Sequence, residues 1–188
     1  MSLGKLMQLT KPADVPVVNQ ITEAQAILKQ LTQEIRTTSY LLHPPLLDEV
    51  GLAAALKWYV EGVGERSGLE ITLNLPDSVD RFAREAELVI FRIVQESLTN
   101  IHRHSGSRSA TISIAVSEDA ISVQVADRGK GMSLEKLSNI RSNASGVGIR
   151  GMRERVRQLG GQMIIQSDDS GTTVAVTLPV TLVVPQSC

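Results

Sequence analysis

Two stretches of alternating, turn-punctuated sequence limit the fold more than any other feature of this chain. Residues 109–127, SATISIAVSEDAISVQVAD, read as two strands around a polar turn at Glu118 and Asp119. Residues 162–180, QMIIQSDDSGTTVAVTLPV, give two more, with Asp168, Asp169 and Gly171 in the turn. A fifth alternating run, LEITLNLP, lies at 69–76. Strands that follow one another across tight turns pair antiparallel. A sheet built this way is not the alternating βαβ arrangement of a dinucleotide fold.

Helical spacing fills most of the remainder. Over 19–45, Ile21, Ala24, Ile27 or Leu28, Leu31, Ile35, Thr38 and Leu41 or Leu42 recur every three to four residues. Asn19 or Thr22 can cap this helix, and Pro44 and Pro45 stop it. Its apolar stripe needs a partner: a helix hairpin, a second chain, or the domain's own core. Further helices are expected over 48–68, over 81–105, and from about Ile149 to Leu159 with Gly160 and Gly161 at its end. Pro12 and Pro16 break residues 1–18, which read as a linker or appended segment, and 181–188 as a tail. The predicted fold is α/β: a two-layer sandwich with a mixed, mostly antiparallel sheet, helices on one face, and a preceding helix.

Composition removes several classes of function. The 19 Lys and Arg against 20 Asp and Glu leave no bulk electrostatic footprint for nucleic acid. Cys188 is the sole cysteine, so neither an internal disulfide nor a cysteine-ligated zinc centre is expected. No apolar run approaches the length of a membrane span, and the opening residues lack the apolar core of a signal peptide. His102 and His104, two apart on a helix, point to different sides and cannot chelate one ion together.

Four short motifs remain. Glu96, Asn100 and His104 lie four apart on one helical face, opposite Ile90, Ile93, Val94, Leu98 and Ile101. That face is either a solvated polar surface or one where Asn100 offers an oxygen to Mg²⁺. In VADRGKGM, Asp127 ends a strand before Gly129 and Gly131. The carboxylate can accept a hydrogen bond from an exocyclic amine such as that of adenine, or simply close a turn. Gly146, Gly148 and Gly151 spell G-x-G-x-x-G, but SNIRSNAS before them is loop rather than strand, which defeats a dinucleotide fingerprint. A Gly-rich loop running into a helix start is still suited to phosphate, with Arg150, Arg153 and Arg155 nearby. Finally Gly171, Thr172 and Thr173 read as a turn with β-branched strand formers, or as hydroxyls at a strand start.

The order of these motifs resembles the ATP-binding domain of the GHKL superfamily, which includes histidine kinases, gyrase and the mismatch-repair ATPases. ESLTNIHRHS is similar to its N box, DRGKGM and GVGIRGMRERV to its glycine boxes, and GTTVAVTLP to its closing segment. LLHPPLLDEVGLAAAL with GIRGMRERV resembles the bacterial sensor kinases that signal to response regulators with helix-turn-helix output domains. The resemblance implies a Bergerat ATP-binding fold over 46–180 and the second helix of a dimerisation and phosphotransfer hairpin over 19–45, whose first helix is absent. ATP and Mg²⁺ would be the cofactors. Asn100 would coordinate the ion, with Glu96 beside it or its water, and Asp127 would bond the adenine amine. Gly129, Gly131 and Met132 would shape the base pocket. Gly146, Val147, Gly148 and Ile149 would meet the phosphates from a lid. Thr172 or Thr173 would assist at the adenine through water. Arg103 and His104 would flank the phosphates, Arg103 standing where relatives often have lysine.

His43, His102 and His104 are followed by Pro44, Arg103 and Ser105, so none matches the acidic pair expected at a phosphorylated histidine. The chain is then expected to be the C-terminal part of a cytoplasmic kinase that lacks its own acceptor. Its partners would be a response regulator and, in the whole protein, a second copy, with no direct nucleic-acid contact and membrane association only through absent segments. A serine kinase of the anti-sigma-factor type shares the pocket. A non-catalytic dimerisation module is the third reading, against which the intact Asn100, Asp127 and glycines count.

Overall fold

The computed structural model describes residues 20–25, 27–28, 45–76, 82–141 and 147–180. The chain divides into two compact units, Met1–Pro45 and Leu46–Cys188. In the first, residues 20–25 and 27–28 are helical, with Ile27 and Leu28 exposed. The remainder of the helix expected over 19–45, the linker 1–18, His43 and the tail 181–188 lie outside the described residues.

The second unit runs α1 (Pro45–Ser67), β1 (Glu70–Asn74), α2 (Arg84–Asn100), a π turn (Ile101–Ser105), β2 (Ser109–Val116), β3 (Ala120–Asp127), α3 (Leu134–Arg141), α4 (Val147–Gln158), β4 (Gln162–Asp168) and β5 (Gly171–Pro179). Pro45 opens α1, where a missing N–H costs nothing. Gly51, at φ 79°, kinks that helix. Beyond the kink, Leu52, Ala55, Leu56, Tyr59 and Val60 are buried at helical spacing. In α2 the five residues expected on the apolar side, Ile90, Ile93, Val94 and Leu98 with Ile101 just after it, are all buried. The Glu87 carboxylate, also buried, accepts the Phe82 amide at 3.2 Å and so holds the entry to α2. Arg84 and Asp48 form a bidentate ion pair across the starts of α1 and α2, at 2.6 and 3.0 Å. It is exposed, so solvent screening leaves it little weight in stability.

The five strands lie in the order β1-β2-β3-β5-β4. β1 pairs parallel with β2, from Glu70 opposite Ser109 to Asn74 opposite Ser113, because α2 carries the chain back between them. The pairs β2–β3, β3–β5 and β4–β5 are antiparallel. The sheet is therefore mixed and mostly antiparallel, as the turn chemistry required. One face carries Ala110, Ile112 and Ile114 of β2, Ile121, Val123 and Val125 of β3, and Val174, Val176 and Leu178 of β5, all buried. The alternate positions, Thr111, Ser122, Gln124 and Thr177, are exposed. Helices cover the first face, giving two layers. Three such strand runs plus α1 and α2 make one continuous core.

Two boundaries differ from those the sequence suggested. α4 begins at Val147, two residues before Ile149, so Gly148 lies within its first turn. The helix over 81–105 does not stay α: it ends at Asn100 and opens into the π turn. There the Ser105 hydroxyl donates to the Ile101 carbonyl at 2.8 Å, and Gly106 at φ 70° stops the turn.

Burial separates core from open face energetically. Ile90 is fully buried under the sheet, whereas Ile164, on β4, is 56% exposed. Ile90→Ala is expected to cost about 2–5 kcal/mol and Ile164→Ala under about 0.5 kcal/mol, read from urea unfolding midpoints.

Candidate functional site

The two-residue period of β3 has an unusual end. Ile121, Val123, Val125 and Asp127 share the covered face, so the last of them places a carboxylate where its predecessors place hydrocarbon. Asp127 is only 9% exposed. Its Oδ1 accepts the Gly129 amide at 2.7 Å, and the Thr172 amide also bonds the carboxylate. Burial pushes the carboxyl above its ordinary pKa, and the two amides partly offset this. Thr172 stands opposite Asp127 in the β3–β5 register and is itself buried.

These two residues line one wall of a cavity of about 330 Å³ beneath the sheet's end. Val125, Ile165 and Val174 extend that wall with hydrocarbon. Asn100 and Ile101 come from the end of α2, Arg103 and His104 from the π turn, Met132 from the loop after β3, and Ile149 and Met152 from α4. A slot with apolar walls, one buried carboxylate and cationic groups at its rim suits a flat heteroaromatic body bearing an anionic tail.

A hydrogen-bonded knot fixes the loop after β3. The Lys130 amide donates to the Ser105 carbonyl at 2.9 Å, docking the loop on the π turn. Ser167 accepts the Met132 amide at 2.9 Å, donates to the Gly171 carbonyl at 3.0 Å and lies 2.8 Å from the Thr172 hydroxyl. Gly131, at φ 63°, runs so close to the Asp168 carbonyl that a Cβ would overlap it. No L side chain suits that position.

Glu96 does not line the cavity. Its Oε1 accepts the Asn100 side-chain amide at 3.2 Å, which turns the Asn100 carbonyl oxygen away and leaves it free to accept or ligate. The same carboxylate packs against the first turn of α4, where a Cβ on Gly148 would fall on it. Arg153 ties α4 to α3 by donating to the Ile140 carbonyl at 2.7 Å.

Of the residues singled out by sequence, Asn100, Arg103, His104, Asp127, Gly131, Met132, Ile149 and Thr172 meet at the cavity. Gly129 is packed on Ser105 and the Asp127 carboxylate instead of on the cavity. Val147 and Gly148 form the start of α4, and Gly146 lies outside the described residues. Thr173 is not among the cavity's lining residues, because neighbouring strand residues face opposite ways. His102 and His104 diverge as their spacing required, and only His104 reaches this cavity. The motifs did not identify Ser97, Val125, Lys130, Met152, Ile165 or Val174 as lining residues. Met152 stands one turn beyond Ile149, and Val174 two residues beyond Thr172, so face periodicity was the available signal. Among the described residues, no three His, Cys, Asp or Glu side chains are grouped to hold a metal. A cation bound here would take most of its ligands from phosphate and water, as Mg²⁺ commonly does.

Residues 85–182 match the family described as histidine kinase-, DNA gyrase B-, and HSP90-like ATPase. The chain is 31% identical over 147 residues to the sensor histidine kinase MctS of Rhizobium johnstonii, an overlap of 78% of this chain and 32% of that protein. It is 29% identical over 165 residues to the signal transduction histidine-protein kinase/phosphatase DegS of Brevibacillus brevis, covering 87% of this chain and 42% of that one. It thus spans about a third to two-fifths of the length of these relatives. A solved structure of the histidine kinase domain of the Erythrobacter litoralis EL346 blue-light activated histidine kinase shares the fold. That match has a TM-score of 0.64 at 20% identity and covers 95% of this chain and 90% of the other.

The Asp127 carboxylate has a measurable cost. Its folded-state pKa is raised, so its charge opposes folding above the unfolded-state pKa and has no effect well below it. Asp127→Asn, which keeps an acceptor for the Gly129 amide, is expected to melt at or above the wild-type temperature at pH 7. The gap closes as the pH falls below about 4, in thermal scans across pH. Gly131→Ala is expected to lose at least about 1 kcal/mol in urea unfolding, from left-handed backbone and overlap with Asp168.

Proposed function

The chain belongs to the histidine kinase-, DNA gyrase B-, and HSP90-like ATPase family, and we propose that it is the ATP-binding catalytic portion of a two-component sensor histidine kinase. The observation that carries this reading is the buried Asp127 carboxylate, held by two backbone amides at one end of a slot with largely apolar walls. An adenine amine satisfies the remaining acceptor capacity of that carboxylate, and Thr172 stands beside it to hold a bridging water. Gly131 and Met132, with Ile149, Ile165 and Val174, enclose the base. Gly129 acts one step back, by fixing Asp127.

The phosphates extend toward Arg103, His104 and Lys130, and toward the α4 start at Val147, Gly148 and Ile149, whose amides point outward. Gly146 would belong to the same contact. The free carbonyl oxygen of Asn100 would ligate Mg²⁺, with Glu96, which positions it through the 3.2 Å bond, beside the ion or its water. Bound Mg²⁺ would supply charge neutralisation during phosphoryl transfer. The protein's own contribution is positioning and a preorganised polar environment.

The γ-phosphoryl acceptor is a histidine outside these 188 residues, since none of the three histidines here is followed by an acidic side chain. A response regulator then takes the phosphoryl group. Residues 19–45 are the second helix of the hairpin through which the whole protein forms a homodimer, and the working compartment is the cytoplasm. Among the described residues, no helix is long and apolar enough to cross a membrane.

Calorimetric titration with ATP and ADP, with and without Mg²⁺, tests the reading. The unmutated chain is expected to bind both nucleotides. Asp127→Ala should weaken each at least about tenfold, while Asn100→Ala should remove most of the Mg²⁺ dependence. No nucleotide binding by the unmutated chain overturns the proposal. Adding a segment with a histidine-acidic pair and scoring acid-labile against acid-stable phosphate separates a histidine kinase from a serine kinase.

A further inference from the structure

A second hollow, of about 270 Å³, lies on the other side of the π turn, between the C-terminal half of α1 and the end of α2. Its floor is apolar, from Val63, Leu98 and the ring of Tyr59, which meets the Phe91 ring at a tilt of 59° with centroids 5.3 Å apart. Its rim is basic: Arg66 from α1, and His102 and Arg103 from the π turn. Among the described residues, no carboxylate lines it, and none of these three side chains has an ion-pair partner. Of the three hydroxyls in the lining, two already donate elsewhere, Ser67 to the Val63 carbonyl at 2.7 Å and Thr99 to the Gln95 carbonyl at 2.8 Å; the third is the Tyr59 phenol. Apart from the Tyr59 phenol, the side-chain donors left in the hollow are all basic, in a chain whose net charge is only −1.

We propose that this hollow is a second anion site, for a phosphate monoester with a small apolar body. The guanidinium groups of Arg66 and Arg103 match a tetrahedral oxyanion in fork geometry, and His102 supplies a third donor. The apolar floor accepts the organic part, for which a free inorganic phosphate has no use. Arg103 alone lines both hollows. An occupant of the second therefore competes with the first for one guanidinium, and the two ligands affect each other's affinity by the same factor. That coupling rests on the nucleotide reading of the first cavity; the anion site itself does not.

Phenyl phosphate, with inorganic phosphate and phenyl acetate as comparison probes, tests the site by calorimetry and by ³¹P line broadening on the full chain. Phenyl phosphate is expected to bind more tightly than either comparison probe. Arg66→Ala and His102→Ala, made separately in case one misfolds, should each weaken it at least about fivefold and leave ATP affinity unchanged. Asp127→Ala should leave phenyl phosphate affinity unchanged. Saturating phenyl phosphate should weaken ATP in the unmutated chain and not in Arg66→Ala. Phenyl phosphate binding that ignores Arg66 and His102 but vanishes in Asp127→Ala would place it in the first cavity and overturn the proposal. Equal affinity for phenyl acetate would overturn the phosphate assignment. A chain that binds phenyl phosphate through Arg66 but no ATP would refute the nucleotide reading alone.

Discussion

A carboxylate at the end of an apolar strand face is the constraint around which this unit is organised. Asp127 follows Ile121, Val123 and Val125 at two-residue intervals, so it enters the covered side of the sheet unless β3 breaks its period. A buried charge needs fixed donors. The chain supplies them from both directions: the Gly129 amide from the loop that follows, and the Thr172 amide from the neighbouring strand. The second donor requires β5 to lie beside β3, although residues 128–170, with two helices and β4, intervene in sequence. The strand order β3-β5-β4 and the site's polar end are thus one requirement met once.

The loop after β3 is fixed by the same logic. It docks on the π turn through the Ser105 carbonyl and on the β4–β5 corner through Ser167. Gly131 and Gly148 are places where backbone or carboxylate already occupies the space a Cβ would need. A motif read as glycine-rich is, in three dimensions, a record of near contacts. In the D-x-G-x-G segment, one glycine serves the carboxylate and the other the Asp168 carbonyl.

Local chemistry made most of the fold legible. Tight polar turns fixed two antiparallel strand pairs, β2–β3 and β4–β5, and the five residues that the helical period placed on the apolar side of α2 and its end are all buried. Asn100 and Asp127 were legible because each stands at a break in a pattern, one on the polar side of a helix and one at the hydrophobic end of a strand. What eluded the sequence depends on geometry between elements. The apolar lining residues Val125, Ile165 and Val174 look like any other strand interior until the sheet end is left uncovered above them. Thr172 and Thr173 are chemically alike, and only the register opposite Asp127 separates them. The early start of α4 was hidden because glycine disfavours helix interiors, and packing against Glu96 overrides that preference. The π turn has no compositional mark at all.

That turn also bears on how chains of this kind diverge. Its two ends, Ile101 and Ser105, are buried, and its three middle residues are exposed and charged or titratable. A π turn encloses one residue more than an α turn. A single-codon deletion between its ends can therefore return the helix to α geometry while both buried anchors stay in place. The core would scarcely register the event. One of three rim side chains would be gone, and the wall between the two hollows would be redrawn. Within a lineage, the number of basic groups on that wall can thus drift by length variation at one site, separately from selection on the carboxylate beneath it.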